Sequence, residues 1–329
     1  MAGAGTMGSG IAQVAAAGGL HVKLYDPVEH AAERAAGRIG ELLKRSVDRG
    51  RVTQQAASET LRRIEPVRTL GELEDCFMVI EAAPEKLELK SDLFKQLAAV
   101  CDDGTVLATN TSSIPVTSVA SQIDHPERVV GMHFFNPVPL MQLVEVVAGM
   151  NSGERALAIT REVAKRMGRE PIDASDGPGF LVNRCSRPFL LEAQRLLQER
   201  VTGHEQIDRI VRLGGGFRMG PFELSDLVGV DVGYDIARSF FSLSFNEPRW
   251  QPSGIPAAMI AAGRLGRKSG HGYYRYPEQG KYRDDDPPPR LPESASGVVE
   301  IHGDGALPDQ LRRLAEAAGY AVVEPADDS

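Results

Sequence analysis

Three glycines at the start of the chain place the tightest constraint on its fold. Gly3, Gly5 and Gly8 form the pattern G-x-G-x-x-G before a helical run, and Asp26 ends a strand-like segment 23 residues after Gly3. In a dinucleotide-binding loop, the first glycine allows a tight turn, the second lets the backbone approach a pyrophosphate, and the third lets helix and strand pack closely. The N–H groups at the helix start then bind the phosphates. A purely structural glycine turn is the alternative, but this context favours a dinucleotide site.

Asp26 also bears on which dinucleotide binds. A carboxylate at this position accepts hydrogen bonds from the ribose hydroxyls of NAD and repels the 2′-phosphate of NADP. Pro27, Val28 and Glu29 follow it, without an arginine that could hold that phosphate. The sequence therefore predicts NAD as the cofactor.

The strand that normally precedes the first glycine is missing from the pattern. Only Met1 and Ala2 stand before Gly3, whereas a strand usually has about five residues, and a buried parallel strand is rich in Val and Ile. We expect an apolar, β-branched segment upstream of Gly3. We also expect a chain extended in this way to bind NAD more tightly and to unfold at a higher temperature.

The first half of the chain alternates between strand-like and helical segments. Strand patterns cover 21–26, 77–83, 106–109, 129–135 and 143–147. Helical patterns follow the glycine loop and cover 28–49, 53–63, 86–100 and 154–167. This alternation predicts an α/β fold, a Rossmann-like doubly wound parallel sheet.

The pattern changes at Asp176–Gly179, after which helices dominate, near 180–200, 204–213, 221–242 and 255–264. We predict an NAD-binding domain over 1–175 and a second, all-helical domain over 176–276. The acidic remainder, 277–329, begins with the linker-like Asp284–Pro289. A strand at 298–301, a helix at 308–318 and a strand at 320–323 would then start a further, incomplete α/β segment.

Composition excludes several classes of protein. The net charge of −8 argues against a nucleic-acid partner. No apolar run reaches the ~18 residues of a membrane-spanning helix. A signal peptide starts with basic residues, and this chain has no Lys or Arg before Lys23, so we do not expect one. Cys76, Cys101 and Cys185 are too few and too scattered for a disulfide framework or a zinc site. We expect a cytoplasmic protein without a metal.

Two polar residues in apolar strands are candidates for chemistry. His133 ends one strand, and Glu145 lies inside Leu143–Val147. Because a buried carboxylate is costly unless it is paired, we expect adjacent strands to bring Glu145 against the imidazole. Such a pair fixes the imidazole tautomer and stabilises its protonated form. A buried His–Glu pair without a catalytic role is the alternative.

A second polar group follows another strand. Asn110–Ser113 lies at the carboxyl edge of the predicted sheet, where ligands bind in open α/β sheets. A Ser/Thr cap for the next helix is the alternative. The segment 31–70 carries nine Lys/Arg against five Asp/Glu, which indicates a site for a phosphorylated ligand or simply a solvated helix face.

Together, these segments resemble the NAD-dependent 3-hydroxyacyl-CoA dehydrogenases. The resemblance runs from Gly3 to about Tyr276, and its motifs are highly specific. They are Gly3–Gly8, Glu81–Glu85, Asn110–Ser113, His133–Pro137, Pro178–Arg184, Gly220–Leu224 and Gly266–Tyr274. The resemblance implies a Rossmann-like domain followed by a helical domain that forms a homodimer.

The resemblance also implies roles for individual residues. His133 corresponds to the catalytic base and Glu145 to the carboxylate that orients it, while Ser112 and Asn183 correspond to residues that hold the reacting end of the substrate. The implied NAD-binding residues are Gly3, Gly5, Thr6, Met7, Gly8, Asp26, Glu81, Lys86, Asn136 and Lys268. Residues 28–63 correspond to the arm over which coenzyme A lies, and Arg49 and Arg51 are candidates for binding its phosphates.

The implied reaction is the oxidation of L-3-hydroxyacyl-CoA to 3-ketoacyl-CoA, as in fatty acid β-oxidation. His133 would remove the hydroxyl proton while C3 passes hydride to the nicotinamide. The tail resembles that of longer bacterial enzymes, including those that act on 3-hydroxyadipyl-CoA. The chain would then be a truncated member of that group, with a dicarboxylic acyl-CoA among its possible substrates.

Two other functions fit the same architecture. A non-catalytic relative, such as a lens crystallin of this fold, would not need His133, Glu145, Ser112 and Asn183, all of which are present. Dehydrogenases for 6-phosphogluconate or 3-hydroxyisobutyrate rely on a catalytic lysine, whereas this chain offers the His–Glu pair. The sequence therefore favours the 3-hydroxyacyl-CoA reaction.

Overall fold

The computed structural model describes residues 1–286 and 297–323. They belong to two compact units, Met1–Glu278 and Gln279–Ser329. Within the predicted linker, Pro287–Pro289 lie outside the described residues. The division of the first unit into two domains at residue 175 stays a prediction. The last strand of the sheet ends at this residue, and the elements that follow in this unit are helices.

A central sheet and the helices around it form the amino-terminal part of the first unit. Its elements are α1 (Thr6–Ala17), β1 (Val22–Tyr25), α2 (Ala31–Asp48), α3 (Gln54–Arg62), β2 (Ile64–Val67), β3 (Met78–Glu81), α4 (Leu87–Val100), β4 (Val106–Thr109), α5 (Val116–Ala120), β5 (Val129–Phe134), β6 (Leu143–Ala148), α6 (Glu154–Arg166) and β7 (Glu170–Ser175). Strands β3 to β7 neighbour one another in chain order, and β1 pairs in parallel with β2.

Helices cover both faces of this sheet. On one face, Ile11 of α1, Ile39 of α2 and Val163 of α6 belong to one buried cluster. On the other, Phe94 of α4 and Val119 of α5 belong to a second. All residues of β4 and β5 are buried, as expected for strands covered on both faces. The predicted Rossmann-like, doubly wound architecture is confirmed.

The central position of the sheet is occupied by the first residues of the chain. Ala2 bridges Tyr25 of β1 and Glu81 of β3 in parallel, and the Ala2 amide donates to the Ile80 carbonyl at 2.9 Å. Met1 and Ala2 thus connect the two halves of the sheet, but they form no continuous strand. A cavity of about 60 Å³ between β1 and β3 borders Met1. The upstream segment stays a prediction.

The predicted parallel sheet contains one antiparallel pair of strands. β5 and β6 pair antiparallel, with His133 opposite Glu145, and β7 then runs parallel to β6. The reason is the length of the connection, because 135–142 contains no helix and is too short for the crossover that parallel strands need. This hairpin is the element that carries the predicted His–Glu pair.

Two strands escaped the sequence analysis because each contains a proline. β2 contains Pro66 and β7 contains Pro171, and the two strands lie at opposite edges of the sheet. Proline removes a backbone donor, so it is tolerated on an edge strand that bonds on one side only. The sequence pattern alone could not identify these edges.

Helices form the rest of the first unit: α7 (Val182–Gln198), α8 (His204–Gly215), α9 (Pro221–Val228), α10 (Val230–Leu243) and α11 (Gly254–Ala261). The single helix predicted over 221–242 is two helices, because Gly229 takes a φ of +109° between α9 and α10. Asp208 of α8 holds the start of α9 by accepting the amide hydrogens of Phe222 and Glu223.

The second unit contains β8 (Val298–Glu300), α12 (Ala306–Ala317) and β9 (Ala321–Val323). The two strands pair in parallel, with Val298 opposite Ala321, and α12 connects them. This β-α-β order agrees with the pattern predicted for the tail. Across the described parts of both units, no helix is both long and apolar enough to cross a membrane.

The buried Asp208 carboxylate predicts a pH-dependent stability. Burial, with a contribution from the nearby Glu223, raises the pKa of Asp208 to about 6 even though it accepts three hydrogen bonds. Between about pH 4 and pH 6 the folded chain therefore keeps a proton that the unfolded chain loses, and stability from this group falls as pH rises.

Asp208→Asn removes this titration. We expect the unfolding free energy of the native chain, minus that of the variant, to fall by up to about 3 kcal/mol as pH rises from 4 to 7. Denaturant titrations of both proteins across this range measure the difference. A difference that is constant with pH would contradict the assignment.

Candidate active site

The pair predicted from spacing, His133 and Glu145, is in contact. The two residues lie directly opposite each other in the β5–β6 hairpin, and His133 Nδ1 is 2.6 Å from Glu145 Oε2. Glu145 is completely buried and His133 is nearly so. The sheet register thus places a carboxylate against an imidazole in a site largely closed to water.

The second carboxylate oxygen of Glu145 binds the start of α7. Oε1 accepts the amide hydrogens of Leu181 at 2.9 Å and Val182 at 2.8 Å. These are amides that a helix leaves without an internal partner, and the helix dipole favours a negative charge there. Burial alone would raise the pKa of Glu145, but the hydrogen bonds from His133 and the two amides outweigh it and lower the pKa. The carboxylate is therefore ionised at neutral pH.

Aromatic rings enclose the imidazole. The ring centroid of His133 lies 4.6 Å from that of Phe135 and 5.6 Å from that of Phe180, both edge to face. Because Nδ1 faces the carboxylate, we assign the proton of the neutral ring to Nδ1 and the lone pair to Nε2. This tautomer can accept a proton from a hydroxyl group.

The loop after β4 is held by a carboxylate that the sequence analysis did not single out. Glu85 Oε1 accepts hydrogen bonds from the Thr111 hydroxyl at 2.7 Å and from the amides of Ser112 and Ser113 at 2.9 Å. The Ser112 hydroxyl lies 3.3 Å from the same oxygen. Ser112 is thus fixed at the carboxyl edge of the sheet through its backbone.

The alternative role of this loop, a Ser/Thr cap for the next helix, is not what the structure shows. The first amides of α5, those of Val116 and Thr117, donate to Asp176 instead, each at 2.7 Å. Asn110 serves the neighbouring strand, where its Oδ1 accepts the amide hydrogen of Phe134 at 2.8 Å. The loop therefore supports the strand that carries His133.

Glu81, expected to line the NAD site, has its carboxylate in the interior. It is completely buried and accepts hydrogen bonds from Lys90 Nζ at 2.6 Å, from the Thr109 hydroxyl at 2.7 Å and from the Ala83 amide. A buried carboxylate needs such partners, and with all three in place it shapes the end of β3. Its side chain is not available to a cofactor in this arrangement.

The other predicted residues differ in how close they lie to the pair. Asn183 is in the first turn of α7, one residue after an amide that binds Glu145. Asn136 is exposed three residues after His133, and Lys86 is exposed at the start of α4. Lys268 lies in the helical part, where its Nζ is 2.6 Å from Asp231 Oδ2.

The glycine loop has the geometry that its pattern predicts. Gly3 has a φ of +114°, and a Cβ atom there would lie 2.7 Å from the Ala82 carbonyl oxygen. A Cβ on Gly8 would lie 1.9 Å from the Gly3 carbonyl oxygen, whereas a Cβ on Gly5 would have no neighbour within 4 Å. Two glycines are thus required by the fold, and the third leaves open space.

This open space fits a dinucleotide. It lies at the start of α1, which has no side-chain cap, so the backbone N–H groups there are suited to a pyrophosphate. Asp26 holds the loop by accepting the amide hydrogens of Ala4 at 2.7 Å and Val28 at 2.9 Å, and a carboxylate has lone pairs left for ribose hydroxyls. Arg49 and Arg51 are exposed in the turn between α2 and α3.

Family models match nearly the whole first unit. Residues 1–177 match the NAD binding domain of 3-hydroxyacyl-CoA dehydrogenase, and residues 179–276 match its C-terminal domain. The chain belongs to the 3-hydroxyacyl-CoA dehydrogenase family. The predicted family, its NAD-dependent oxidoreductase activity and its cofactor are thereby confirmed.

Individual members of the family are similar over most of their length. A 3-hydroxyadipyl-CoA dehydrogenase of Escherichia coli (strain K12) is 41% identical over 98% of this chain and 69% of that protein. A probable 3-hydroxybutyryl-CoA dehydrogenase of Bacillus subtilis is 39% identical over 85% of this chain and 97% of that protein. The crystal structure of an (S)-3-hydroxybutyryl-CoA dehydrogenase from Ralstonia eutropha is 35% identical, with a TM-score of 0.81 over 84% of this chain and 98% of that one.

The sequence analysis missed residues of this dehydrogenase site that hold other residues in place. Glu85 holds the Ser112 loop, Asp176 holds α5, and Lys90 pairs with the buried Glu81. Glu85 and Glu81 both lie within one of the motifs that carried the resemblance. Their different burial, which decides what each can bind, was not readable from the motif.

A pair of glycine substitutions separates cofactor binding from folding in this dehydrogenase. Gly5→Ala places its methyl group in open space, so we expect normal thermal stability but at least about tenfold weaker NAD binding, because the methyl group occupies the approach of the pyrophosphate. Gly8→Ala forces a clash with backbone, so we expect a lower unfolding temperature as well.

Thermal unfolding and NAD titration of both variants test this prediction. Gly203→Ala is the matched control, because Gly203 also stands directly before a helix with extended backbone (φ −77°) and has no neighbouring atom within 4 Å of a Cβ; it should change neither the unfolding temperature nor NAD binding. If Gly5→Ala bound NAD as tightly as the native chain, the loop would not be the pyrophosphate site.

Proposed function

We propose that this chain oxidises the hydroxyl group of an L-3-hydroxyacyl-CoA to a ketone, with His133 as the catalytic base. The observation that supports this most strongly is the buried hydrogen bond between His133 Nδ1 and Glu145 Oε2. It leaves the Nε2 lone pair to take the hydroxyl proton. A positioned histidine base contributes on the order of 10²–10⁴-fold to a rate.

Glu145 acts through His133 and is a positioning residue in this proposal. Its carboxylate holds the imidazole in one orientation and one tautomer, and it stabilises the positive charge that His133 gains with the proton. The two α7 amides that bind its other oxygen keep it from turning away from the ring.

Ser112 and Asn183 hold the reacting end of the substrate. Both adjoin the pair through structure already described: Ser112 on the loop whose Asn110 supports β5, and Asn183 in the turn of α7 that binds Glu145. We infer that they approach the substrate oxygen from the sheet side and the helical side respectively. The hydroxyl and amide groups supply donors and acceptors for the alcohol and the ketone.

The adenine-nucleotide half of NAD would be held by the glycine loop and the residue after β1: Gly3, Gly5, Thr6, Met7, Gly8 and Asp26. Three residues would approach the cofactor from neighbouring elements: Lys86, Asn136 and Lys268. When bound, NAD accepts the hydride that leaves C3 of the substrate. The chain itself supplies an anchored loop, a ribose acceptor and a base. Glu81 contributes by shaping the end of β3 and not by direct contact.

The remaining features of the proposal concern the whole protein. Arg49 and Arg51, exposed between α2 and α3, would bind phosphates of coenzyme A in the arm 28–63. We infer a homodimer formed by the helical domain 176–276, next to an NAD-binding domain 1–175, and a role in β-oxidation or related acyl-CoA breakdown. The three cysteines form no disulfide among the described residues, which supports a cytoplasmic location.

Substitution of the base tests the proposal directly. His133→Ala should lower the turnover of acetoacetyl-CoA with NADH on the order of 10²–10⁴-fold. NAD binding should stay within a few fold, because the residue contacts the substrate and not the nucleotide loop. NADH absorbance and NAD titration measure the two effects.

His125→Ala is the matched control, because His125 is an exposed histidine paired with Glu127. It should leave both values unchanged. Full turnover in His133→Ala, or a large loss of NAD affinity with it, would contradict the assignment of His133 as the base.

Glu145→Gln tests the positioning role. The glutamine amide can donate to Nδ1 and so favour the opposite tautomer, whose Nε2 carries a proton and cannot act as a base. We expect turnover to fall on the order of 10²–10⁴-fold with the fold retained. Glu154→Gln, on an exposed carboxylate paired with Arg161, should have no effect. Near-native turnover in Glu145→Gln across the pH range would overturn this role.

A further inference from the structure

A cavity in the helical part adjoins Asn183. It has a volume of about 340 Å³. The rings of Phe189 and Phe217 stack at 5.4 Å on its wall. Among the described residues that line it, Arg187 alone is charged, and Leu190, Leu224 and Val228 are among the apolar ones. The cavity is thus mainly apolar, with one cationic group.

Arg187 has no anionic partner among the described residues. Its Nε atom is buried without a hydrogen bond, and burial, with no charged neighbour to oppose it, lowers the pKa of the guanidinium. Arg187 as a whole is half-buried, and a partly desolvated charge without a counterion is unfavourable. The planar guanidinium is suited to bind a carboxylate through two parallel hydrogen bonds.

The position of Arg187 relates it to the reacting centre. Arg187 follows Asn183 by four residues on α7, so both side chains lie on one face of the helix, about 6 Å apart along its axis. Helical side chains lean towards the amino terminus, and at that terminus the amides of α7 bind Glu145. Asn183 and Arg187 both line the cavity, so a substrate held at Asn183 would have the cation about one helical turn further along α7.

We propose that Arg187 binds the terminal carboxylate of a dicarboxylic 3-hydroxyacyl-CoA and selects such substrates over monocarboxylic ones. This inference rests on the proposed function, and it assigns the acyl chain to the cavity beside Asn183. The methylene groups between C3 and the carboxylate would contact the apolar wall, and the carboxylate would neutralise the guanidinium.

A pair of substrates of equal length tests this assignment. 3-Hydroxyadipyl-CoA and 3-hydroxyhexanoyl-CoA both have six-carbon acyl chains, and they differ in carrying a carboxylate or a methyl group at the end. The native enzyme should prefer the first. Arg187→Met should lower kcat/KM for 3-hydroxyadipyl-CoA on the order of 10-fold to 100-fold, which is the contribution of a charged hydrogen bond, and should spare 3-hydroxyhexanoyl-CoA.

Two further variants make the test specific. Arg187→Lys keeps the charge and should restore part of the preference, although it loses the two-point geometry. Arg195→Met removes an exposed arginine of the same helix, paired with Glu192, and should change neither substrate.

Three results would overturn the role of Arg187: the absence of a preference in the native enzyme, an equal fall for both substrates in Arg187→Met, or a change of oligomeric mass with that variant in sedimentation. An equal fall for both substrates would instead indicate that Arg187 binds coenzyme A, and a change of oligomeric mass would indicate a contact between subunits. Oxidation of 3-hydroxyhexanoyl-CoA by the native enzyme would still support the proposed function in each case, whereas failure to oxidise either substrate would contradict that function itself.

Discussion

The two oxygens of one buried carboxylate organise this structure. Glu145 binds His133 through Oε2 and the first amides of α7 through Oε1. A carboxylate buried without partners would be strongly unfavourable, so its three donors must be present together. Because one donor lies on β5 and two lie at the start of α7, the same interaction orients the imidazole and fixes the helix that carries Asn183 and Arg187.

Further contacts reinforce the passage from sheet to helices. Asp176, directly after β7, caps α5 on the sheet side. Gly179 has a φ of +71°, and a Cβ there would lie 1.9 Å from the Phe240 ring, so the chain passes close to α10. Phe180 then packs against His133. The segment that leads into α7 is thus constrained at successive residues. Its conformation determines where the amides that bind the Glu145 carboxylate lie.

Local patterns in the sequence predicted much of this arrangement, and long-range geometry determined the rest. The G-x-G-x-x-G loop and the apolar strand around Glu145 have local causes, so they were predictable. Pro66 and Pro171 concealed two edge strands, and the antiparallel hairpin followed from a connection whose path no local pattern showed. The motif containing Glu81 could not reveal that its carboxylate is buried against Lys90, nor could helical periodicity reveal that Arg187 borders a cavity without a counterion.

The tautomer of His133 tests the central claim most directly. In protein labelled with ¹⁵N at its seven histidines, two-bond ¹⁵N–¹H correlation spectra distinguish a protonated Nδ1 from a protonated Nε2, and the His133→Ala spectrum identifies the signal. The account predicts that the neutral ring carries its proton on Nδ1, facing Glu145, and that this preference is lost in Glu145→Gln. A neutral His133 protonated on Nε2 in the native enzyme would contradict it.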